Sequence, residues 1–361
     1  MIAMARSIGL SRCMRQARMK VPESYPVGYY HCISRIVDRQ FLFGDTEREQ
    51  FVDFMREYEA FCGVRILTYC IMSNHFHILV EVPKRPEVLP SPEVLVRQLG
   101  QLSGHVNVGT VIQRIEMLRN SKADKELEEY LESFWARMWD VSAFMKLLKQ
   151  RYTQWYNSQK GRKGTLWEER FKSVLVDGCG EVLGTMAAYI DLNPVRAGIL
   201  EDPADYRWSG YGEASAGSRR AMEGLRRVVA AVERLDPAAG QGAKSREADE
   251  VLSRYRLFVY GAGEEREGIT PEGVPMRRGF DREAVLKVVA EKGRLGMEDF
   301  LRLRVRYFSD GAILGTRGFL ESMFGAMKER FGAKRKDGAR RVRGLKGELY
   351  ALRDLKKAVF G

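Results

Sequence analysis

Residues 64–72 (VRILTYCIM) and 75–83 (HFHILVEVP) are two apolar runs separated only by Ser73-Asn74. Runs rich in β-branched and aromatic residues, joined by two turn-forming residues, define an antiparallel hairpin. A lone hairpin is barely stable, so the flanking sequence must complete a sheet. Residues 27–36 (VGYYHCISRI) read as a first strand. Residues 45–62 read as a helix, with Asp45 as N-cap, Phe51, Phe54, Met55, Tyr58 and Phe61 as its apolar stripe, and Gly63 as its stop.

Prolines at 83, 86, 90 and 92 then mark a break, and a charged, mainly helical stretch runs to about residue 159. It ends in an amphipathic helix, 141–157, with Lys and Arg on one side. Residues 166–177 read as a loop and fourth strand, and 181–192 as a helix stopped near Asn193-Pro194. The order β-α-β-β-α-β-α predicts an α+β fold. Its expected form is a ferredoxin-like antiparallel sheet with helices on one face, one further helix, and a helical C-terminal extension.

The expected organisation is a basic arm (1–20), a main domain (21–215) with a helical insertion at about 88–140, a linker (216–250) and a helical, basic region (251–361). The arm carries Arg6, Arg12, Arg15, Arg18 and Lys20 and no acid, and residues 328–361 hold twelve Lys/Arg against four acids. With a net charge of +12, this points to a polyanionic partner such as nucleic acid. Solvated basic tails explain each end equally well. Five cysteines without a C-x-x-C pair fit free thiols in a reducing compartment, and no run of about 18 apolar residues suits a membrane span.

Three features carry chemistry. His75 and His77 stand two apart on a strand, so their imidazoles share a face and form half of a metal site. An isolated H-x-H is commonly just a pair of packed histidines. Tyr189 and Asn193 stand four apart at a helix end and share a face, although a tyrosine in an apolar helix is usually a core residue. Residues 148–172 interleave cations with aromatics, among them Arg151, Trp167, Arg170 and Lys172. Such a segment grips phosphates and stacks on unpaired bases; a helix with a wet basic face and a buried aromatic face looks the same.

The segments YYHCISRIVDRQFLF (29–43), YCIMSNHFHILVEV (69–82), GTLWEERFKSVLVD (164–177) and YIDLNPVRAG (189–198) together resemble the REP-associated tyrosine transposases. These are a branch of the single-tyrosine transposases in the histidine–hydrophobe–histidine nuclease superfamily. The resemblance spans about residues 20–212. It implies a Mg²⁺ or Mn²⁺ ion held by His75 and His77, with Asn193 completing the metal shell, and Tyr189 as the nucleophile. It further implies a 5′-phosphotyrosine intermediate on single-stranded DNA beside a REP-like hairpin. Arg170, Lys172 and Arg196, with Trp167 and Arg151 of the basic and aromatic segment, are the expected DNA contacts. The expected setting is cytoplasmic and nucleoid-associated, with no membrane partner, as monomer or homodimer. The stretch 304–325 is similar to segments of longer members, where DNA binding, structural padding and a partner surface stay open.

Three other readings fit parts of the sequence. A domesticated hairpin-binding protein would keep the fold without the reaction. A rolling-circle replication initiator is disfavoured because no G-x-x-x-x-G-K-[ST] loop accompanies the histidines. A zinc hydrolase needs a third strong ligand, and neither His31 nor His105 has suggestive spacing.

Overall fold

The computed structural model of the protein describes residues 18–102, 107–233, 246–263, 306–309, 312–331, 335–336, 338–342 and 349–352. Cys13, His105 and most of the basic N-terminal arm lie outside the described residues.

The hairpin forms as its sequence dictates. Strands β2 (Arg65–Ile71) and β3 (His75–Pro83) pair antiparallel across the Ser73-Asn74 turn. Strand β1 (Val27–Arg35) pairs antiparallel with β3, and β4 (Lys172–Val176) pairs antiparallel with β1. The order β2-β3-β1-β4 is the ferredoxin-like arrangement. Helix α1 (Asp45–Cys62) buries the expected stripe of Phe51, Phe54, Met55, Tyr58 and Phe61 on one face of this sheet. Its N-cap is Gly44, with Asp45 in the first turn, and Gly63 ends it in the left-handed region at φ 63°. Helix α5 (Val141–Gln159) packs beside α1 on that face.

The insertion between β3 and α5 is helical as expected, with α2 (Pro92–Leu99), α3 (Val108–Asn120) and α4 (Asp124–Trp135). Leu95, Leu99, Val111, Ile115, Leu131 and Trp135 join the α1/α5 core.

The other face of the sheet is covered too. Helix α6 (Gly180–Asp191) lies across it and is followed by α7 (Asn193–Arg196) and α8 (Gly210–Ser215). Helix α9 (Arg219–Val232) corrects the linker expected from residue 216. Ser218 caps α9, and Leu225, Val228 and Val229 bury its apolar face in the core shared with α6 and β2. The approach is close: a Cβ on Gly224 would stand 2.5 Å from the Leu67 carbonyl oxygen. Helix α10 (Arg246–Gly263) adds Val251, Tyr255 and Val259 to the same core.

The C-terminal region is not only helical. It contributes short helices at Arg306–Ser309 and Arg317–Ala326 and three strands, β5 (Ile313–Gly315), β6 (Arg340–Arg341) and β7 (Tyr350–Leu352). These extend the sheet to the order β2-β3-β1-β4-β5-β7-β6, with β5 parallel to β4. The physical reason lies in β4, whose outer edge would otherwise present unpaired amides. The Leu175 and Asp177 amides donate instead to the Ala312 and Leu314 carbonyls, each at 2.9 Å.

Candidate nuclease site

The site lies on the face of the sheet that α6 covers. In an antiparallel ladder, directly opposed residues project to the same side. His77 opposes Ile33, His75 opposes Arg35 and His31 opposes Leu79. His31, His75 and His77 therefore share one face, with His31 and His77 as diagonal neighbours across β1 and β3. Helix α6, which follows β4, crosses this row and sets Tyr189 against it.

The rings converge. Centroids of His75 and His77 are 5.1 Å apart, and those of His31 and His77 also 5.1 Å. The Tyr189 ring lies 5.9 Å from both His31 and His77, edge-on to each. Phe308, from the C-terminal region, stacks on the Tyr189 ring, and the Arg196 guanidinium lies 4.6 Å from the ring centroid. Tyr189 is 4% exposed.

Hydrogen bonds tie each histidine at Nδ1. The Asn74 side-chain oxygen lies 2.7 Å from His75 Nδ1. His31 Nε2 lies 2.9 Å from His77 Nδ1, and His31 Nδ1 lies 2.9 Å from the Phe308 carbonyl. Asn74 also donates to the Arg39 carbonyl at 3.2 Å. That carbonyl belongs to a kinked turn in which Asp38 and Arg39 both sit in the left-handed region, at φ 55° and 56°. Non-glycine residues occupy that region at a cost, and such costs concentrate at functional sites.

The electrostatics keep the imidazoles neutral. Burial pulls His31 down to about 4, with the Phe308 carbonyl opposing the shift. Burial and the nearby Arg35 bring His75 to about 4. Burial, then the neighbouring His75, His31 and Arg196, hold His77 well below the ordinary histidine value. A neutral imidazole is the form that binds a metal. With Nδ1 of both His75 and His77 engaged, Nε2 of each is the nitrogen suited to a cation, and the remaining coordination would come from oxygen donors. His31 is engaged through both ring nitrogens, so it does not supply a third ligand. Among the described residues, no group of three or more His, Cys, Asp or Glu side chains is arranged to hold a metal ion.

The other expected site residues divide. Arg196 stands at Tyr189. Lys172 opposes Ile33, on the histidine face, and pairs with Glu169 at 3.3 Å. Arg170 is exposed in the loop just before β4. Asn193 folds its amide back, donating to the Tyr189 and Ile190 carbonyls at 2.9 and 3.1 Å, and so closes the end of α6. Trp167 corrects its expected place on DNA. It is 7% exposed in the α1/α5 core, packed edge-on to Phe76 and tilted against Phe43 and Tyr152, with its indole N–H donating to Thr153 Oγ1 and the Lys149 carbonyl. Arg151 lies over the Phe54 ring at 4.8 Å, on that same far side of the sheet. The mixed basic and aromatic segment is thus largely a helix with a buried aromatic face.

His31 was missed. A single histidine in a strand gives no spacing signal; only the β1–β3 register brings it to His77. Phe308 was missed because it lies 119 positions beyond Tyr189, and nothing in the 304–325 stretch ties it to the tyrosine.

Residues 24–107 match the family model described as "Transposase IS200 like". The match spans β1, α1, β2 and β3 and includes all three histidines of the row; Tyr189 lies beyond it. Over this segment, less than a quarter of its length, the chain is similar to the IS200-like transposases. The solved structure of a REP-associated tyrosine transposase bound to a REP hairpin shares 13% identity with the chain, covering 56% of this chain and 87% of that one at a TM-score of 0.35. At that distance it carries no part of the functional reading. No curated protein matches the chain. No helix among the described residues is long and apolar enough to cross a membrane.

Proposed function

We propose that the protein is a metal-dependent single-stranded DNA endonuclease and strand-transferase, a transposase that forms a 5′-phosphotyrosine intermediate at hairpin-associated sites. The observation that carries this reading is the 5.9 Å between the Tyr189 and His77 rings, a phenol and an imidazole row brought to one point by α6 and the sheet. The IS200-like match over 24–107 supports the same reading from an independent direction.

In this reading Tyr189 Oη forms a bond to phosphorus while the bond from phosphorus to the 3′ oxygen breaks. The phenol loses one proton and the departing 3′ oxygen gains one. A 3′-hydroxyl is released, and the 5′ phosphate stays on Tyr189, so its bond energy is kept for rejoining without ATP. Phe308 and the backbone of α6 fix the ring, and Arg196 brings positive charge to the place where the phosphate must lie. His75 and His77 would hold Mg²⁺ or Mn²⁺, which when bound polarises the phosphate and stabilises charge on the leaving oxygen. Asn193 would join them only if its amide turned away from the end of α6. Lys172 and Arg170 would extend the phosphate contacts along β4. Histidines and tyrosine converge within one chain, so a monomer would carry one complete site and a homodimer two. The reading sets the protein in the cytoplasm at nucleoid DNA, acting on REP-like hairpins.

One observation favours a second reading, a non-catalytic hairpin-binding protein: Tyr189 is 4% exposed beneath Phe308. One experiment separates the two. A labelled single-stranded hairpin oligonucleotide from the gene's own flanks is incubated with the protein and Mg²⁺ or Mn²⁺. A denaturation-resistant protein–DNA adduct that vanishes in Tyr189→Phe, with binding retained, supports the transposase. Tight binding with no adduct under either metal sinks it in favour of the binder.

A further inference from the structure

A histidine can bind a cation only through a ring nitrogen that carries no proton, so the tautomers of His75 and His77 decide whether the pair can act as ligands. The neighbouring groups decide them, working inward from two backbone carbonyls. The Phe308 carbonyl only accepts, so His31 Nδ1, 2.9 Å away, must carry a hydrogen. His31 is fully buried, and a doubly protonated ring there would be a desolvated charge. His31 Nε2 is therefore bare. The 2.9 Å contact with His77 Nδ1 then requires a hydrogen on His77 Nδ1, leaving the lone pair of a neutral His77 on Nε2.

His75 follows the same logic through a different residue. The Arg39 carbonyl accepts from the Asn74 amide nitrogen, which fixes the orientation of that amide and turns its oxygen to His75 Nδ1 at 2.7 Å. His75 Nδ1 donates, and its lone pair is also on Nε2.

We propose that His31 is a positioning residue that holds His77 in its Nδ1–H tautomer, as Asn74 holds His75, so that both histidines offer a bare Nε2 to a divalent cation. This rests on the reading of the pair as metal ligands. Outer groups of this kind orient a ligand and raise its basicity, and their loss costs about 10- to 100-fold in metal affinity. The proposal also assigns a task to the C-terminal region: one residue, Phe308, anchors the His77 relay through its carbonyl and the nucleophile through its ring.

The test uses two substitutions in the full chain and two readouts. His31→Gln keeps an amide oxygen to accept from His77 and an amide nitrogen to donate to Phe308; His31→Phe keeps a flat ring and removes both. Ring-nitrogen NMR of histidine-labelled, metal-free protein reads the tautomers, and paramagnetic resonance of Mn²⁺ reads binding. His75 and His77 are expected as Nδ1–H in the wild type and in His31→Gln, which should bind Mn²⁺ within roughly threefold of the wild type. His31→Phe is expected to lose about 10- to 100-fold. Finding His77 as the Nε2–H form in the wild type overturns the proposal. So does a folded His31→Phe with wild-type affinity, or a His31→Gln as damaged as His31→Phe. If His31→Phe fails to fold, the wild-type tautomer and His31→Gln still decide. Wild-type protein that binds no Mn²⁺, or His77→Ala that binds it normally, sinks the ligand reading itself, and the NMR arm keeps that failure distinct.

Discussion

The Tyr189 ring lies stacked on Phe308, with 4.5 Å between centroids and 14° between planes. Two residues 119 positions apart in the sequence thus share one surface. The helix that would deliver the nucleophile is held partly by a segment more than a hundred residues downstream.

Phe308→Ala is therefore expected to destabilise the protein by about 3 kcal/mol, the usual cost of truncating a buried phenylalanine. Urea unfolding of the two proteins measures it. A change under about 1 kcal/mol would show that the 306–309 segment is not integral to the folded body.

Arg196→Ala should weaken binding of a single-stranded oligonucleotide and reduce the slope of log affinity against log salt by about 0.7, the share of one phosphate contact. Binding titrations across a salt series read the slope. An unchanged slope would mean that Arg196 serves the Tyr189 ring, over which it lies at 4.6 Å, and no phosphate.

Asp191 gives a pH prediction. Its carboxyl is fully buried, accepting from Thr68 Oγ1 at 2.7 Å and from the Tyr255 hydroxyl, and burial raises it to about 7 while those bonds pull it down. The folded protein therefore holds this proton above the unfolded value of 3.8. The associated stability is complete below that value and is lost as pH rises toward 7, by a few kcal/mol at most. His31 and His75, each lowered to about 4, act in the opposite sense below about 6.5. The difference between wild type and Asp191→Asn isolates the carboxyl. Relative to the variant, the wild type should lose stability from pH 5 to pH 8 in chemical denaturation; a constant difference would refute the assignment.

Gly180→Ala tests how α6 is seated. A Cβ there would stand 1.9 Å from the Ala231 carbonyl oxygen, so α6 and α9 would have to separate. Overpacking of this kind costs about 1–3 kcal/mol. Gly318→Ala, with nothing within 4 Å of the new methyl, is the matched control and should leave the melting temperature unchanged or slightly higher. Equal effects of the two would contradict the close packing of α6 on α9.

What could be read in the sequence was whatever obeyed a local period. The 64–83 hairpin, the α1 stripe and the same-face placement of His75 and His77 all follow from spacings of two, three or four residues. His31 obeys no such period; it reaches His77 only through the register of two strands 46 positions apart. Helix α9 did carry a signal, with Ser218 followed by Ala221, Met222, Leu225, Val228 and Val229, but its arginines made it resemble solvated linker. Trp167 misled because alternating cations and aromatics describe a DNA groove and a two-faced helix equally well. Strands β5, β6 and β7, at two or three residues each, are too short for any alternation to show.

The parallel seam between β4 and β5 has a consequence for shortened forms of the chain. A protein ending near residue 233 would keep β4 but lose the neighbour that takes up its outer amides. It would present a bare, apolar strand edge, an invitation to pair with another molecule. Such a fragment should associate through that edge more readily than the full chain, so that what looks like an accessory tail also shields β4 from a foreign strand.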